Sequence, residues 1–269
     1  MFKKLSLLIV IATTVTLGAC DSSSEKKDQE LDVVENSSNP DILPYLNMKQ
    51  QSADFALPFC ENKNCINIDI QTISTQDKWM NSWIEKNQAT VIQDQIGLKQ
   101  DMSLQQAINA YVKKSDAWQA EEKTHNAYEL AIYTRMAYQR NQYVLLQIGL
   151  DSKQDGTNIT ERYYFFAADR KQQKALKILD VIDEKQQVNM NAFVQKAYQE
   201  WLEKQISSVQ NTAPKKLLWG QADWFFDHEG LGLHFRTNEI VKDAQQLDIY
   251  LTKAQTQQVV KPVIYKNMF

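Results

Sequence analysis

The sequence predicts an α+β fold in which antiparallel sheet packs with about three helices. The hydrophobic repeat changes along the chain from a spacing of about four residues to alternation. The alternating segments follow one another through short connectors that contain turn residues, which favours antiparallel pairing of neighbours. Strands are grouped before and after helices and do not alternate strictly with them, as in α+β proteins.

One strand and two helices are predicted in the first part of the folded region. Residues 66–73 alternate isoleucines with polar side chains, which is typical of a half-buried strand. Asp77 is a candidate N-cap for the first helix, and Ser103 with Gln106 forms a capping-box pattern that begins the second. The apolar residues at helical spacing are Trp79, Met80, Trp83 and Ile84 in the first helix, and Leu104, Ile108, Tyr111, Val112 and Trp118 in the second.

Three successive strands are then predicted at residues 127–139, 142–150 and 159–169, joined by connectors with turn residues. A third helix is predicted at about residues 189–206, where apolar side chains recur every three to four positions. Its apolar residues are Phe193, Val194, Ala197, Tyr198, Trp201, Leu202 and Ile206.

The last part of the chain predicts a small group of strands. Residues 222–236 indicate two short strands around the turn sequence "DHEG", and residues 247–252 indicate a closing strand. We predict one α+β domain at residues 49–269, in which folding begins near Phe55 and continues to about Lys261, because no linker or repeat divides this stretch.

The N-terminus has the pattern of a cleaved signal. Lys3 and Lys4 precede an apolar run that is too short for a permanent membrane span, which needs about 20 residues. Residues 17–20, Leu-Gly-Ala-Cys, resemble the lipobox of bacterial lipoproteins. The resemblance implies that residues 1–19 are a signal peptide and that Cys20 carries a diacylglyceryl group and an acylated amine. An ordinary secretory signal with an incidental cysteine is the alternative.

Residues 20–48 are predicted to be the lipidated cysteine and a disordered tether, because this polar segment has too little apolar surface to fold. The protein would then face the periplasm or the exterior, and the choice between inner and outer membrane stays open. Removal of the signal peptide changes the formal charge from −3 to −5, since it takes away Lys3 and Lys4 and no acidic residue. No basic stripe suggests nucleic-acid binding.

Cys60 and Cys65 are the remaining cysteines. Outside the cytoplasm a leftover pair is most simply a disulfide. Zinc is the alternative, but a zinc site needs three or four protein ligands, and no second Cys or His pair is near in sequence. We predict the disulfide.

The order of elements resembles the RsiV-like domain of unknown function. That domain is the extracellular part of a lysozyme-sensing anti-sigma factor and an accessory domain of a peptidoglycan deacetylase. The best-matching stretch is residues 222–252, supported by the strand "INIDI" and by "YYFFAADRKQQKALKILDVI". The chain departs from the family after the "N-x-E-I" position, where it reads "VKDAQQ" and not Pro-Tyr with a Gly-rich run. The matching positions are Phe225, Gly230, Leu233, Phe235, Glu239 and Ile240.

No motif predicts catalysis, a cofactor or a metal. The chain has neither H-E-x-x-H nor G-x-S-x-G nor a phosphate-binding Gly-rich loop. A metal hypothesis would combine Asp227, His228 and His234, while His125 is the third histidine. If Leu231, Leu233 and Phe235 face inward, His234 should point to solvent, and His228 should lie at the turn. We therefore expect a turn histidine and a surface histidine.

The tyrosines of the three central strands have two interpretations. Exposed on a sheet face, they would recognise a glycan or a protein. Alternatively, their role is structural, because tyrosine packs well in half-buried strands. We favour the structural role because Tyr133 and Arg135 share one face of the strand while the apolar residues occupy the other. The tyrosines concerned are Tyr128, Tyr133, Tyr138, Tyr143, Tyr163 and Tyr164.

These observations predict a non-enzymatic lipoprotein of the cell envelope that binds a partner. By the RsiV-like resemblance, the partner would be a lysozyme-like protein or peptidoglycan, and the acidic balance suits a basic lysozyme. An enzyme acting on cell-wall glycan and a purely structural envelope component are the alternatives.

Overall fold

The computed structural model of the protein describes residues 43, 45–60, 64–122 and 124–269. The predicted signal peptide, Cys20 and the tether up to residue 42 lie outside the described residues. The described part contains nine strands in two sheets and seven α-helices. The α+β class predicted from the sequence is confirmed.

The strands are β1 (Lys49–Ser52), β2 (Asn67–Ser74), β3 (Glu129–Arg140), β4 (Tyr143–Gln154), β5 (Thr157–Asp169), β6 (Lys174–Leu176), β7 (Asp223–Phe226), β8 (Leu231–Phe235) and β9 (Leu247–Tyr250). The helices are α1 (Lys78–Gln95), α2 (Leu104–Glu121), α3 (Ile178–Val181), α4 (Gln187–Leu202), α5 (Ser207–Thr212), α6 (Lys253–Val259) and α7 (Pro262–Met268).

The large sheet has the strand order β1-β2-β3-β4-β5-β6, and the small sheet has the order β7-β8-β9. Every pair is antiparallel except β2 and β3, which are parallel. This corrects the expectation of antiparallel sheet throughout. The helices α1 and α2 lie between β2 and β3 in sequence, and such a crossover allows two strands to run in the same direction. The large sheet is therefore mixed.

The three long helices α1, α2 and α4 are those predicted from the sequence. Asp77 accepts a hydrogen bond from the Met80 amide at 3.1 Å, which confirms it as the N-cap of α1. Ser103 and Gln106 form the predicted capping box of α2. The other four helices have four to seven residues, too few to show a repeated apolar spacing, which explains why about three were expected.

The hairpins of the large sheet confirm the prediction for the central strands. Asn141 has a φ of 51° between β3 and β4. Asp155 and Gly156 have φ of 48° and 71° between β4 and β5. Asp155 and Gly156 thus meet the requirement of the type I′ turn, positive φ at both central residues, whereas between β3 and β4 only Asn141 has a positive φ. These two turns set the register of the face described below.

Two hydrophobic cores lie on opposite sides of β4. Val144, Leu146 and Ile148 point into the core under α1 and α2. Tyr143 and Leu145 point into the core shared by the small sheet, α4 and the C-terminal helices. Because side chains alternate between faces, the end of β4 that carries these residues is covered on both sides. The rest of the second face is left for the surface described below.

The packed residues extend beyond the expected limits of Phe55 and Lys261 at both ends. Leu46 is 1% exposed, and β1 precedes Phe55, so packing begins earlier than expected. At the other end, Pro262 begins α7, and Met268 and Phe269 are buried. Pro is favoured at the first helical position, a signal that the sequence interpretation did not use.

Cys60 and Cys65 form a disulfide with a Cα–Cα distance of 6.0 Å. The predicted pair is thus confirmed. Within the described ranges, no helix is both long and apolar enough to cross a membrane.

Candidate functional site

The tyrosines of the central strands divide between the two faces of the large sheet. Tyr128 and Tyr164 are buried beside α1 and α2. Tyr133 has 46% of its surface exposed on the opposite face, and Tyr163, also on that face, is half-buried. The tyrosines are therefore divided between the buried core and an exposed face of the sheet.

Tyr133, Gly149 and Tyr163 are direct neighbours across β3, β4 and β5. Their row is flat at the centre because Gly149 has no side chain. A Cβ atom there would lie 3.1 Å from Cδ2 of Tyr133 and 3.3 Å from Cε1 of Tyr163. The glycine thus lets both rings approach each other over the middle of the sheet.

The neighbouring row consists of Arg135, Gln147 and Phe165. Nε of Arg135 donates a hydrogen bond to Oε1 of Gln147. Because that bond uses the amide oxygen, the amide NH₂ of Gln147 and the rest of the guanidinium group present donors beside the tyrosine rings.

The small sheet forms the other wall. Phe225 packs against Phe165 and Tyr250 with ring centroids 5.2 Å and 5.1 Å apart, and Tyr250 is 69% exposed. Gly232 accommodates the Phe225 ring, since a Cβ there would lie 2.1 Å from its Cζ.

These two walls enclose an open cleft of about 320 Å³, which we call the tyrosine groove. Tyr133 borders it. The groove is lined by Arg135, Gln147, Tyr163, Phe165, Phe225, His234, Asp248 and Tyr250, among others.

His234 lies at the base of the groove and is 2% exposed, which corrects the prediction of a surface histidine. It does point away from the core that contains Leu231, Leu233 and Phe235, as alternation predicted. That side is nevertheless covered, because Phe165 of β5 packs edge-on against the imidazole with centroids 5.1 Å apart. The sequence could not show that a second sheet lies above this strand.

Asp248 orients the imidazole from the adjacent strand β9. Its Oδ1 lies 2.6 Å from Nδ1 of His234, and its Oδ2 accepts a hydrogen bond from Gln246 at 2.6 Å. Burial opposes ionisation of this carboxyl, but the hydrogen bonds from His234 and Gln246 outweigh burial and lower the pKa of Asp248. Nε2 of His234 has no hydrogen-bond partner within the described part of the chain.

We expect this pair to make stability pH-dependent. An aspartate whose pKa is lower folded than unfolded stabilises the fold at pH above its unfolded pKa, and this contribution disappears as pH falls through the folded pKa. The change in unfolding free energy from pH 5 to pH 2.5, measured by urea denaturation, should therefore be smaller for Asp248→Asn than for the unsubstituted protein. Equal changes would contradict the stabilising role of the pair.

Tyr133 and Tyr250 stay neutral phenols at physiological pH. The hydrogen bond that Tyr133 donates to Asp151, assisted by burial and by the Asp151 charge, raises the pKa of Tyr133 to about 12. Burial and the charges of Asp248 and Asp227 also raise the pKa of Tyr250. Both side chains can therefore stack on a ligand and hydrogen-bond to it without carrying charge.

A buried ion pair joins the beginning of β7 to the residue that follows β8. Nη1 of Arg236 lies 2.6 Å from Oδ2 of Asp223, and its guanidinium carbon lies 4.3 Å from the centroid of the Tyr164 ring. Burial raises the pKa of Asp223 despite the neighbouring Arg236. Glu239 accepts a hydrogen bond from the Arg236 amide at 2.7 Å, so this position of the resemblance is structural. Sequence reasoning did not select Asp223 or Arg236.

The other predicted site residues are dispersed. The His228 side chain is 73% exposed beside Glu229, and Asp227 accepts hydrogen bonds from the amides of Glu229 and Gly230 within the turn. His125 stacks on Trp118 with centroids 3.6 Å apart. Across the described residues, no three His, Cys, Asp or Glu side chains converge as a metal site.

The groove is suited to recognition. Aromatic rings, a guanidinium group, amides and carboxylates converge on it, but none of its described lining residues is Ser, Thr or Cys. Beside the His234–Asp248 pair, the only side-chain hydroxyls of this lining are therefore those of tyrosines.

Two solved structures share the architecture. A DUF3298 family protein from Pseudomonas aeruginosa superimposes with a TM-score of 0.60 at 15% identity, covering 84% of this chain and 98% of that one. The chain has the DUF3298 fold. A DUF3298 family member from Bacteroides fragilis gives a TM-score of 0.56 at 10% identity, covering 83% and 97%. No protein-family model and no functionally curated protein matches the chain.

Proposed function

We propose that this protein is a non-enzymatic lipoprotein of the bacterial cell envelope whose DUF3298-like domain binds an envelope partner through the tyrosine groove. The partner class follows the resemblance to RsiV-like domains, to which DUF3298 domains are related. The proposed partners are lysozyme-like proteins and peptidoglycan. Acyl chains on Cys20 would hold the protein on the membrane.

The observation that carries the proposal is the exposure of tyrosines on a rigid sheet. Tyr133 and Tyr250 are 46% and 69% exposed, although the strands that carry them each bury their other face. Tyrosine offers a large contact area at low conformational entropy cost and a polar end, which is why it is enriched at binding hot spots. Strand residues also hold these rings in place better than loop residues would.

The disulfide and the acidic balance are consistent with this location. The Cys60–Cys65 bond suits an oxidising compartment outside the cytoplasm. The formal charge of −3 for the whole chain, or −5 after removal of residues 1–19, would steer a basic protein partner toward the domain.

Alanine at both Tyr133 and Tyr163 should weaken partner binding at least about tenfold, since loss of a hot-spot aromatic costs more than about 1 kcal/mol. We would measure sedimentation of the detergent-solubilised protein with purified peptidoglycan sacculi, and its association with lysozyme by calorimetry. Tyr45→Ala is the matched control, because Tyr45 is 77% exposed and outside the groove.

The proposal fails if the double variant and the unsubstituted protein bind both partners with equal affinity. It also fails if the unsubstituted protein binds neither partner. Release of acetate or of reducing ends from the sacculi, lost on substitution of a groove residue, would contradict the non-enzymatic part.

A further inference from the structure

We infer that the tyrosine groove is a binding site for a neutral glycan, and that a hydroxyl group of one sugar donates a hydrogen bond to Nε2 of His234. This inference rests on the proposed function and specifies the ligand of the same site.

The unpartnered imidazole nitrogen is the first argument. Nδ1 of His234 faces the Asp248 carboxylate at 2.6 Å, so Nδ1 carries a proton, and Nε2 is an acceptor whenever the ring holds only that proton. That acceptor is buried and unpaired within the described structure, although buried polar groups are nearly always hydrogen-bonded. His234 lines the groove, but Nε2 is closed to water in this structure, so a ligand hydroxyl reaches it only if binding shifts a neighbouring lining side chain.

The distribution of charge is the second argument. Arg135 lies on one wall, whereas Asp227 and Asp248 lie on the other. One guanidinium group and two carboxylates leave the lining without a strong charge of either sign, so it offers little electrostatic attraction to a highly charged ligand. An uncharged ligand with many hydroxyl groups meets both donors and acceptors there.

The shape of the walls is the third argument. Gly149 lets the Tyr133 and Tyr163 rings come together over the sheet, and Tyr250 lies on the opposite wall. Aromatic rings stack on the C–H face of a pyranose, while planar guanidinium and amide groups hydrogen-bond to the hydroxyls at its edge. Arg135 and Gln147, held together by their own hydrogen bond, supply such groups between the rings.

The test uses the full-length protein in a detergent without a sugar headgroup, titrated calorimetrically with chitotetraose and cellotetraose. Saturable binding of at least one of them is expected, with at least a fivefold loss of affinity in His234→Gln. His228→Gln is the matched control, because the His228 side chain is 73% exposed on the turn, and it should bind as the unsubstituted protein does.

A second measurement does not depend on the folding of a variant. In the unsubstituted protein with ¹⁵N-labelled histidine, a saturating glycan should shift the Nε2 resonance of His234 and leave that of His125 unchanged, since His125 lies outside the groove. Binding that leaves the His234 resonance unmoved would overturn the inference.

The two proposals fail in different ways. Suppose that neither oligosaccharide binds, but that the Tyr133→Ala/Tyr163→Ala variant has reduced affinity for sacculi or for lysozyme. The glycan inference is then wrong, and the proposed binding function stands. If the double variant keeps both partners and the glycans do not bind, both proposals are wrong.

Discussion

Replacing Cys20 with serine should release the protein from the membrane almost completely. Cys20 ends the lipobox-like sequence, and serine has no thiol to accept the diacylglyceryl group. Each buried CH₂ of an acyl chain contributes about 0.8 kcal/mol to membrane binding, so loss of several chains removes the anchor. We would measure the share of protein in the membrane and soluble fractions after cell lysis, and the mass of the N-terminal peptide.

The control for this experiment is Cys60→Ser/Cys65→Ser, which removes the two disulfide cysteines and leaves Cys20 in place. This variant should stay in the membrane fraction. An unsubstituted protein that fractionates as soluble, with an N-terminal peptide of unmodified mass, would contradict lipidation and with it the proposed location.

The second large effect is expected for Trp224→Ala, with a loss of about 3–5 kcal/mol in the free energy of unfolding. Trp224 is 3% exposed and stacks on Phe226. Its indole Nε1 donates a hydrogen bond to the carbonyl oxygen of Leu176 in β6 at 3.1 Å. The side chain thus joins the small sheet to the large one, and its removal should weaken both the core and this junction.

Urea denaturation followed by circular dichroism would measure this loss. Trp224→Phe keeps most of the ring volume and loses the indole donor, so its cost should be smaller than that of the alanine. Trp79, half-buried on α1, supplies the matched control as Trp79→Ala, with a smaller loss than Trp224→Ala. A Trp224→Ala loss of less than about 1 kcal/mol would show that the sheets do not depend on this contact.

Local patterns predicted most of the elements, because the information lies within a few residues. Asp77 and Ser103 cap the helices that they were expected to begin. The alternation of residues 127–169 predicted three antiparallel strands in the correct order. The parallel pairing of β2 with β3 could not be predicted in this way, since it depends on where α1 and α2 return the chain.

The candidate site was predictable only in part. Alternation along β3 placed Tyr133 and Arg135 on one face, which the structure confirms. The burial of His234 depends on the packing of β5 over the small sheet, a contact between residues 69 positions apart in sequence that no local pattern contains. Asp223 and Arg236 were missed for a different reason: they lie at the two ends of the predicted hairpin of residues 222–236, and the strand pairing that brings them together was not used to select them.

The most direct test of the account is a hydroxyl-radical footprint of the side chains, measured by mass spectrometry with and without saturating peptidoglycan fragments or lysozyme. The account predicts reduced oxidation of Tyr133 and Tyr250 on binding, with Tyr45 and Phe59, which are 77% and 89% exposed outside the groove, unchanged. Reduced oxidation of Tyr45 or Phe59 with Tyr133 and Tyr250 unaffected would place the binding surface elsewhere and contradict it.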